Sequence, residues 1–376
     1  MNSKILEKKS NVPLILLGIY IILKPFYFFP SGNPQIADLV LVILALNVLI
    51  HPVGLRIVNI DISILLLLLL VIISLVSGVW AILLSDLSIT MPILFFLLNL
   101  MLFMIVLHII ENNENALQFI FWSVTIAVLL QILLLPISFA EFKRQELFFN
   151  NPNQLGYWSV LSAAMFLYLS QKMQVSFILK VFFAAFVLIA AGLSLSKAAM
   201  ISIVLLYLIY NSRNPIVIVL FIASLIGLVI FASEVEQVSN VIDRIASIGS
   251  SNDDNIEGRG FERLWTYPDY IWFGNAEGGY YRFENLIGIM KDSEIHSTLG
   301  MLFFSYGPLG ISIFMLIFLR NIQKRGFETA IPFIPVFAYS MTHQGFRFSL
   351  FWLLLALVTA TNLLSKQKNM QEGWDE

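Results

Sequence analysis

Long apolar stretches recur from one end of the chain to the other, and this pattern restricts the fold more than any other feature. Each stretch approaches the roughly 20 residues that an α-helix needs to cross the ~30 Å hydrocarbon core of a bilayer. The stretches are continuous, whereas the strands of a membrane barrel alternate apolar and polar residues. The sequence therefore predicts an all-α, polytopic membrane helix bundle in which each helix satisfies its own backbone hydrogen bonds.

The composition supports this prediction. Hydrophobic residues make up 59% of the chain and charged residues only 12%, which is about half the charged fraction of an ordinary soluble domain. The net charge of -2 favours no particular partner, and we expect none among nucleic acids. The sequence contains no cysteine, which excludes disulfides and thiolate-bound metals or haem.

The hydropathy pattern divides the chain into about twelve spans. We place them at residues 12–30, 36–51, 60–80, 91–110, 116–136, 152–170, 175–193, 197–211, 215–233, 297–319, 329–343 and 347–364. The first stretch has no small-residue cleavage site after it and is interpreted as a retained helix, not a signal peptide. Three regions follow: helices one to nine in residues 1–233, a large loop in 234–296, and the last three helices with a short tail in 297–376.

Lysine and arginine set the predicted orientation, because cytoplasmic loops of membrane proteins carry an excess of both. With the N-terminus in the cytoplasm, most basic loop residues fall on the inner side. The outer loops keep Lys143, Arg144, Lys197 and Arg347, with Lys24 near the end of the first span. Both termini are then cytoplasmic, and the protein is expected in the cytoplasmic (inner) membrane.

One connection, from Glu234 to about His296, is much longer than the others and lies outside on this topology. It contains 12 acidic and 5 basic residues. A loop of this length in a compact protein is usually functional or disordered. Its second half, "RLWTYPDYIWFGNAEGGYYRF", is rich in aromatic residues, which indicates a folded cap over the bundle.

Polar residues gather where the even-numbered helices begin, and these helices all begin at the outer side. Helix six follows "FFNN", with Asn151 as the predicted N-cap and Pro152 at the first helical position. Helix eight follows "GLSLS" and carries Lys197 in its first turn. Both helix starts therefore present polar or cationic groups to the outer surface.

Two later helices begin in the same way. Helix ten begins within "KDSEIHSTLG", with Asp292 or Ser293 as the predicted cap and His296 in the first turn. Helix twelve begins within "THQGFRFSLFW", which carries His343 and Arg347. Cations and imidazoles are thus predicted at one membrane depth.

These helix starts predict a site for an anion. Unpaired backbone N–H groups and the positive end of the helix dipole favour negative charge at the start of a helix. Several starts together with Lys197 and Arg347 would suit a phosphate or a diphosphate. Arg259 and Arg263, from the large loop, would close over it with bidentate contacts.

His296 is the candidate general base. In the first turn of a helix the dipole disfavours the imidazolium, so the ring stays neutral and able to accept a proton. Glu294 is near enough in sequence to orient the ring. A neutral imidazole beside an anion site suits the attack of a hydroxyl group on a carbon that bears a phosphate leaving group.

Each of these features also has a purely structural interpretation. A histidine at the membrane interface often caps a helix or extends toward water, and Lys197 could anchor a helix end to lipid phosphates. Arg259 and Arg263 could pair with acids of their own loop, and its aromatic residues could form an interfacial belt. Asp38 and Asp61 lie near span ends and are candidates for structural roles.

Four segments occur in a characteristic order: "FFNNPNQLGYWSVLSAAMF", "GLSLSKAAM", "RLWTYPDYIWFGNAEGGY" and "EIHSTLGMLFFSYGPLG". Together they resemble the O-antigen ligase/O-antigen polymerase superfamily of bacterial polysaccharide enzymes. The resemblance covers roughly residues 145–320, while the first helices match only in hydropathy. It implies a multi-spanning inverting glycosyltransferase that uses undecaprenyl-diphosphate-linked glycans and needs no metal or other cofactor.

The resemblance also implies roles for particular residues. The histidine that follows the loop in the family corresponds to His296 and implies a catalytic role. The loop arginine of the family falls on Arg263, with Arg259 as a rival. Where the family commonly has arginine after the seventh span, this chain has Lys197, which keeps the charge and loses the bidentate fork. The predicted catalytic residues are His296, Arg263 and Lys197, and the predicted substrate-binding residues are Arg259, Arg347, Asn153, Glu294 and Tyr280.

Two activities share this machinery and differ in the acceptor. A polymerase transfers the glycan to another lipid-linked repeat unit, and a ligase transfers it to the lipid A core of lipopolysaccharide. The acidic loop favours the polymerase, because it suits a phosphorylated core poorly. A lipid-glycan flippase or transporter is the alternative from another class, but it predicts paired charges inside the spans, where charges are scarce. Expected partners are the lipid-linked oligosaccharide, membrane lipids, and a chain-length regulator and flippase of the same pathway.

Overall fold

The computed structural model describes residues 11–30, 33–50, 60–138, 144–173, 175–212, 219, 259–283 and 295–372, with only the backbone of Arg325 and of 361–372. These residues form helices and turns, and no strand occurs among them. The predicted all-α class is therefore confirmed. Apart from Val219, the predicted ninth span lies outside the described residues, as do residues 234–258 and 284–294 of the large loop.

The following α-helices lie within the described residues. They are α1 (Val12–Leu23), α2 (Ile36–Ile50), α3 (Ile60–Leu84), α4 (Met91–Asn112), α5 (Ala116–Leu133), α6 (Leu135–Ser138), α7 (Pro152–Lys172), α8 (Phe177–Leu193), α9 (Lys197–Tyr210), α10 (Arg263–Thr266), α11 (Asp269–Phe273), α12 (Thr298–Arg325), α13 (Phe333–Ser340) and α14 (Ser349–Glu372). Short 3₁₀ turns occupy Leu87–Thr90, Tyr280–Arg282 and Phe327–Thr329.

Four helical segments of the described residues have the length and composition to cross a membrane. They are Ile60–Leu84, Leu87–Asn112, Ala116–Leu133 and Thr298–Lys324. Shorter apolar helices, including α1, α2, α8 and α9, accompany them. These segments mark the chain as a helical membrane protein, as the sequence predicts.

The centre of the bundle is formed by α7 and α14. Every residue of α7 from Leu155 to Ser170 is buried, and so is every residue of α14 from Ser349 to Ala360. Helix α4 packs along α14, while α5, α8 and α9 pack around α7. Because neighbours cover α7 on all sides, it tolerates serines, glycine and alanines that a lipid-facing helix would replace with larger apolar residues.

Helix α1 ends earlier than its predicted span. Lys24 and Pro25 follow its last residue, and Pro25 has no N–H with which to continue the helical hydrogen bonds. The ammonium of Lys24 lies 2.7 Å from the carboxylate of Asp38, and both side chains are buried. At the opposite end of the bundle Asp61, on α3, forms an ion pair with Lys324, on α12. The structural roles expected for Asp38 and Asp61 agree with these contacts.

Helix α12 is broken in its middle, which the predicted span 297–319 did not anticipate. Gly307 has φ 67° and ψ −174°, a conformation that is essentially restricted to glycine. Pro308 has no N–H, so it cannot donate to the carbonyl of Phe304 as a helix would require. The backbone N–H of Asn275 donates to that carbonyl instead, at 3.1 Å, and Ala276 donates to the next carbonyl at 2.9 Å. The described part of the large loop, residues 259–283, is thereby fixed to the break in α12. We call this segment the cap.

Helix α13 is also shorter than its predicted span, 329–343. Its eight residues cover about 12 Å at 1.5 Å per residue, far less than a bilayer. The chain from the end of α12 to the start of α14 therefore returns along the bundle partly in turns. These turns bring residues 341–348 to the beginning of α12, where the candidate site lies.

Candidate functional site

The starts of α7 and α9 are joined by Arg144, which precedes α7. One of its terminal nitrogens donates to the side-chain oxygen of Asn153 at 2.8 Å. Its Nε donates to the carbonyl of Ser194, before α9, at 3.1 Å. Gly156 allows this close approach, because a Cβ there would lie 3.2 Å from atoms of Ser194, Ser196 and Ala199. Arg144 is thus part of the site, and the sequence indicated it only as an outer-loop cation.

The end of α13 reaches the same place. The hydroxyl of Tyr339 donates to the backbone carbonyl of Asn153 at 2.8 Å, and its ring stacks on that of Tyr157 at 5.0 Å between centroids. As predicted, the side chain of Asn151 caps α7 by accepting from the N–H of Gln154 at 2.9 Å. Asn153 therefore lies at the meeting point of α7, α13 and Arg144.

Lys197 is the first residue of α9 and is half-buried. The hydroxyl of Ser196 caps this helix by accepting from the N–H of Ala199 at 3.3 Å, and Ser196 lies next to the hydroxyl of Tyr339. The start of α9 is thus at the same end of the bundle as the start of α7. The N-terminal turn of each helix points its backbone N–H groups toward this end.

The start of α12 differs from the prediction in two ways. Ser297 is the N-cap of α12, since its side chain accepts from the backbone N–H of Gly300. The predicted N-caps, Asp292 and Ser293, lie outside the described residues, as does Glu294. His296 precedes the helix instead of lying in its first turn. The backbone N–H of His296 donates to the carbonyl of Arg259 at 3.0 Å.

The turn before α14 completes the cluster. The guanidinium of Arg259 donates to the carbonyl of Thr342 at 2.5 Å. The hydroxyl of Thr298 donates to the carbonyl of His343 at 3.4 Å, and the ring of His343 lies 4.8 Å from that of Tyr339. His343 and the start of α12 are therefore held at one end of the bundle.

Burial and nearby arginines keep both imidazoles neutral. Burial lowers the pKa of His296, and the positive charges of Arg259 and Arg263 lower it further. Burial lowers the pKa of His343 to about 3, with further contributions from Arg259, His296 and Arg144. The neutral state predicted from the helix dipole thus has another physical origin, desolvation and neighbouring cations.

Arg263 lies within the cap, with none of its surface exposed. Its guanidinium carbon is 4.9 Å from the ring centroid of Tyr280 and 5.7 Å from that of Phe283. Stacking on aromatic faces is typical of arginine, whose flat cation is weakly hydrated. The structure therefore brings Arg263 and Tyr280 together. The positive charge of Arg263 is also close enough to His296 to lower the pKa of that imidazole.

Arg347 has a partner that the sequence analysis missed. Its Nε donates to a carboxylate oxygen of Glu277 at 2.7 Å, and a terminal nitrogen contacts the same oxygen. The hydroxyl of Tyr306 donates to the other oxygen at 2.6 Å. Glu277 is 1% exposed and Arg347 is 31% exposed. The positive charge of Arg347, which the sequence analysis assigned to phosphate binding, is therefore largely compensated by the carboxylate of Glu277.

The arrangement can bind an anion and accept a proton. Arg144, Arg259 and Arg263 surround two neutral imidazoles at an end of the bundle where α7, α9 and α12 begin. Among the described residues, no group of three or more His, Asp and Glu side chains could hold a metal ion. No protein-family model matches the chain, and no curated protein matches it either.

Proposed function

We propose that this protein is a metal-independent inverting glycosyltransferase that polymerises undecaprenyl-diphosphate-linked repeat units. It would build an O-antigen or a capsular or exopolysaccharide at the outer face of the cytoplasmic membrane. One observation carries the proposal: Arg144, Arg259 and Arg263 lie with two neutral imidazoles where several helices begin. Such a cluster suits a diphosphate leaving group next to a base.

The proposed reaction assigns the proton to His296. The acceptor hydroxyl gives its proton to the imidazole as its oxygen forms a bond to the anomeric carbon. On the opposite face of that carbon, the bond to the diphosphate oxygen breaks, and its electron pair leaves with undecaprenyl diphosphate. The anomeric configuration inverts, and Arg259, Arg263 and Lys197 offset the developing charge.

The remaining predicted residues are assigned by their contacts. Arg347 is not assigned to the diphosphate, because buried Glu277 already offsets its charge. Its exposed part would donate to neutral sugar hydroxyl groups instead. Asn153 would orient Arg144, whose guanidinium it binds, and Tyr280 would support Arg263.

The ligase remains the alternative within the same machinery, since it would use the same donor and the same base. The composition of the large loop favours the polymerase, because its excess of acidic residues would repel a phosphorylated lipid A core. A transporter is less well supported. The ion pairs Lys24–Asp38, Asp61–Lys324 and Glu277–Arg347 lie at helix ends or in the cap, whereas ion pathways place charges within spans.

A direct assay distinguishes these functions. The purified protein in lipid nanodiscs is incubated with a lipid-linked repeat unit, with and without lipid A core. Long glycan formed without the core identifies a polymerase, and product formed only with the core identifies a ligase. Absence of glycosyl transfer under both conditions, with the lipid-linked substrate carried across vesicle membranes instead, would show that the protein is a transporter.

His296→Ala should reduce polymerisation by about 10²- to 10⁴-fold, which is the usual contribution of a general base. The rate of chain growth in nanodiscs measures the effect, and the amount of protein in the membrane should not change. His108→Gln is the matched control, because His108 lies near the far end of α4 and contacts Asn112. Chains of normal length from the His296 variant would remove this residue from the mechanism.

A further inference from the structure

His343 was not among the residues predicted for the chemistry, yet the structure ties it to His296 at two points. The first is Arg259, whose backbone carbonyl accepts from the N–H of His296 at 3.0 Å. The side chain of the same arginine donates to the carbonyl of Thr342, the neighbour of His343, at 2.5 Å. A single residue of the cap therefore links both histidine segments.

The second connection is Thr298, in the first turn of α12 and two residues after His296. Its hydroxyl donates to the carbonyl of His343 at 3.4 Å and accepts from the N–H of Gly345 at 2.9 Å. The turn that carries His343 is thus held from both sides. The ring of Tyr339 flanks the imidazole at 4.8 Å and restricts its position.

We propose that His343 forms a pair with His296, and that this pair receives the proton of the acceptor hydroxyl when a diphosphate occupies the arginine cluster. The inference rests on the proposed function and adds a second imidazole to its site. The proton comes from the hydroxyl and resides on one of the two rings. It leaves to water or to a diphosphate oxygen as undecaprenyl diphosphate departs, so the pair returns to its neutral state.

The charges around the two rings explain why the anion is needed. The charged groups that face His343 are Arg259 and Arg144, with His296 as its titratable neighbour, and those that face His296 are Arg259 and Arg263. These cations oppose protonation of either ring while the site is empty of anions. A bound diphosphate offsets their charge, which makes both rings better proton acceptors. The substrate therefore activates its own base.

Histidine NMR tests the inference without any turnover. The chain contains 4 histidines, so selective isotope labelling gives few signals, and His296→Gln, His343→Gln and His108→Gln assign them. The pKa values of His296 and His343 are measured in detergent micelles with and without saturating inorganic pyrophosphate. We expect both to lie below the usual ~6.5 without the anion and both to rise by about one unit or more with it. The signal of His108 should not respond.

The possible results separate the inference from the proposed function. A response of His296 alone would overturn the role of His343 and leave the glycosyltransferase proposal intact. Binding of pyrophosphate without a response of either ring would refute the anion-activated pair. No binding at all by calorimetry would refute the pair and the anion site with it. The wild-type measurement stands even where His343→Gln folds poorly, because His51→Gln, His108→Gln and His296→Gln assign the other three signals and leave that of His343.

Discussion

Arg263 shows at the scale of one residue how this protein keeps a cation inside its structure. None of its surface is exposed, and its guanidinium lies over the face of Tyr280 at 4.9 Å. A charge removed from water is costly unless other groups compensate for the lost hydration, and the electron-rich face of an aromatic ring supplies part of this compensation. A flat guanidinium can stack on a ring and still present N–H groups to a bidentate anion, while a lysine ammonium cannot.

Substitutions of Arg263 should therefore follow the shape of the side chain as well as its charge. We expect Arg263→Ala to lower kcat/KM by about 10²- to 10³-fold, as loss of an electrostatic stabiliser does. Arg263→Lys should retain more activity than Arg263→Ala because it keeps the charge. The matched control is Arg320→Ala, an exposed arginine near the far end of α12 that contacts Gln323. Activity of Arg263→Lys equal to that of the unchanged protein would argue against bidentate binding.

At the scale of a helix, the break in α12 connects the cap to the bundle. Gly307 lets the chain turn, and Pro308 leaves the carbonyl of Phe304 available to the N–H of Asn275. Gly274, just before this contact, also has a positive φ of 87° and approaches the carbonyl of Ser305 closely. A glycine on each side of the contact lets the two backbones meet, because neither carries a Cβ that would separate them.

Gly307→Ala should destabilise the protein by about 1–3 kcal/mol, since its conformation is strained for any residue with a Cβ. A Cβ at this position would also lie 3.0 Å from the carbonyl oxygen of Trp272. Thermal unfolding in detergent, followed by the loss of soluble monodisperse protein, measures the effect. Gly78→Ala, in α3, should be neutral or slightly stabilising because nothing lies within 4 Å and alanine favours a helix. Comparable melting of both variants would contradict the strain at Gly307.

At the scale of the whole molecule, the central helix α7 is less apolar than α5, α8 and α9, which pack around it. Helix α7 carries serines along its length and is buried throughout, while α2 and α3 expose large apolar residues such as Leu39 and Leu75. Lipid is as apolar as leucine, so the hydrophobic effect does not sort residues inward as it does in water. Close packing of small residues places α7 at the centre instead.

The two ends of the bundle should differ in their access from outside the cell. A cysteine at Thr266, exposed in the cap, should react with a membrane-impermeant thiol reagent in intact cells, after outer-membrane permeabilisation where that barrier exists. A cysteine at Gln323, exposed at the far end of α12, should react only after lysis. The natural chain contains no cysteine, so the background is clean. Labelling at Gln323 alone would invert the proposed orientation.

Local signals in the sequence predicted the elements of the fold and several members of the candidate site. A cap residue followed by proline marked the start of α7, and the transition from polar to apolar residues marked the starts of α9 and α12 within a few residues. Such signals depend on neighbours in the chain, so the sequence contains them in full. They predicted that His296, Lys197 and Asn153 lie at helix starts, although His296 precedes its helix by two residues.

Packing of distant segments established the partners of these residues and their charge states. Arg144 meets Ser194, Glu277 meets Arg347, and Tyr339 meets Asn153, across 50, 70 and 186 positions of the chain. No local pattern distinguishes Arg144 from other cations of the outer loops, Glu277 from other acidic residues, or Tyr339 from other tyrosines of apolar helices. Their burial and electrostatic neighbours arise only when the helices are assembled, because a pKa depends on desolvation and on charges nearby in space.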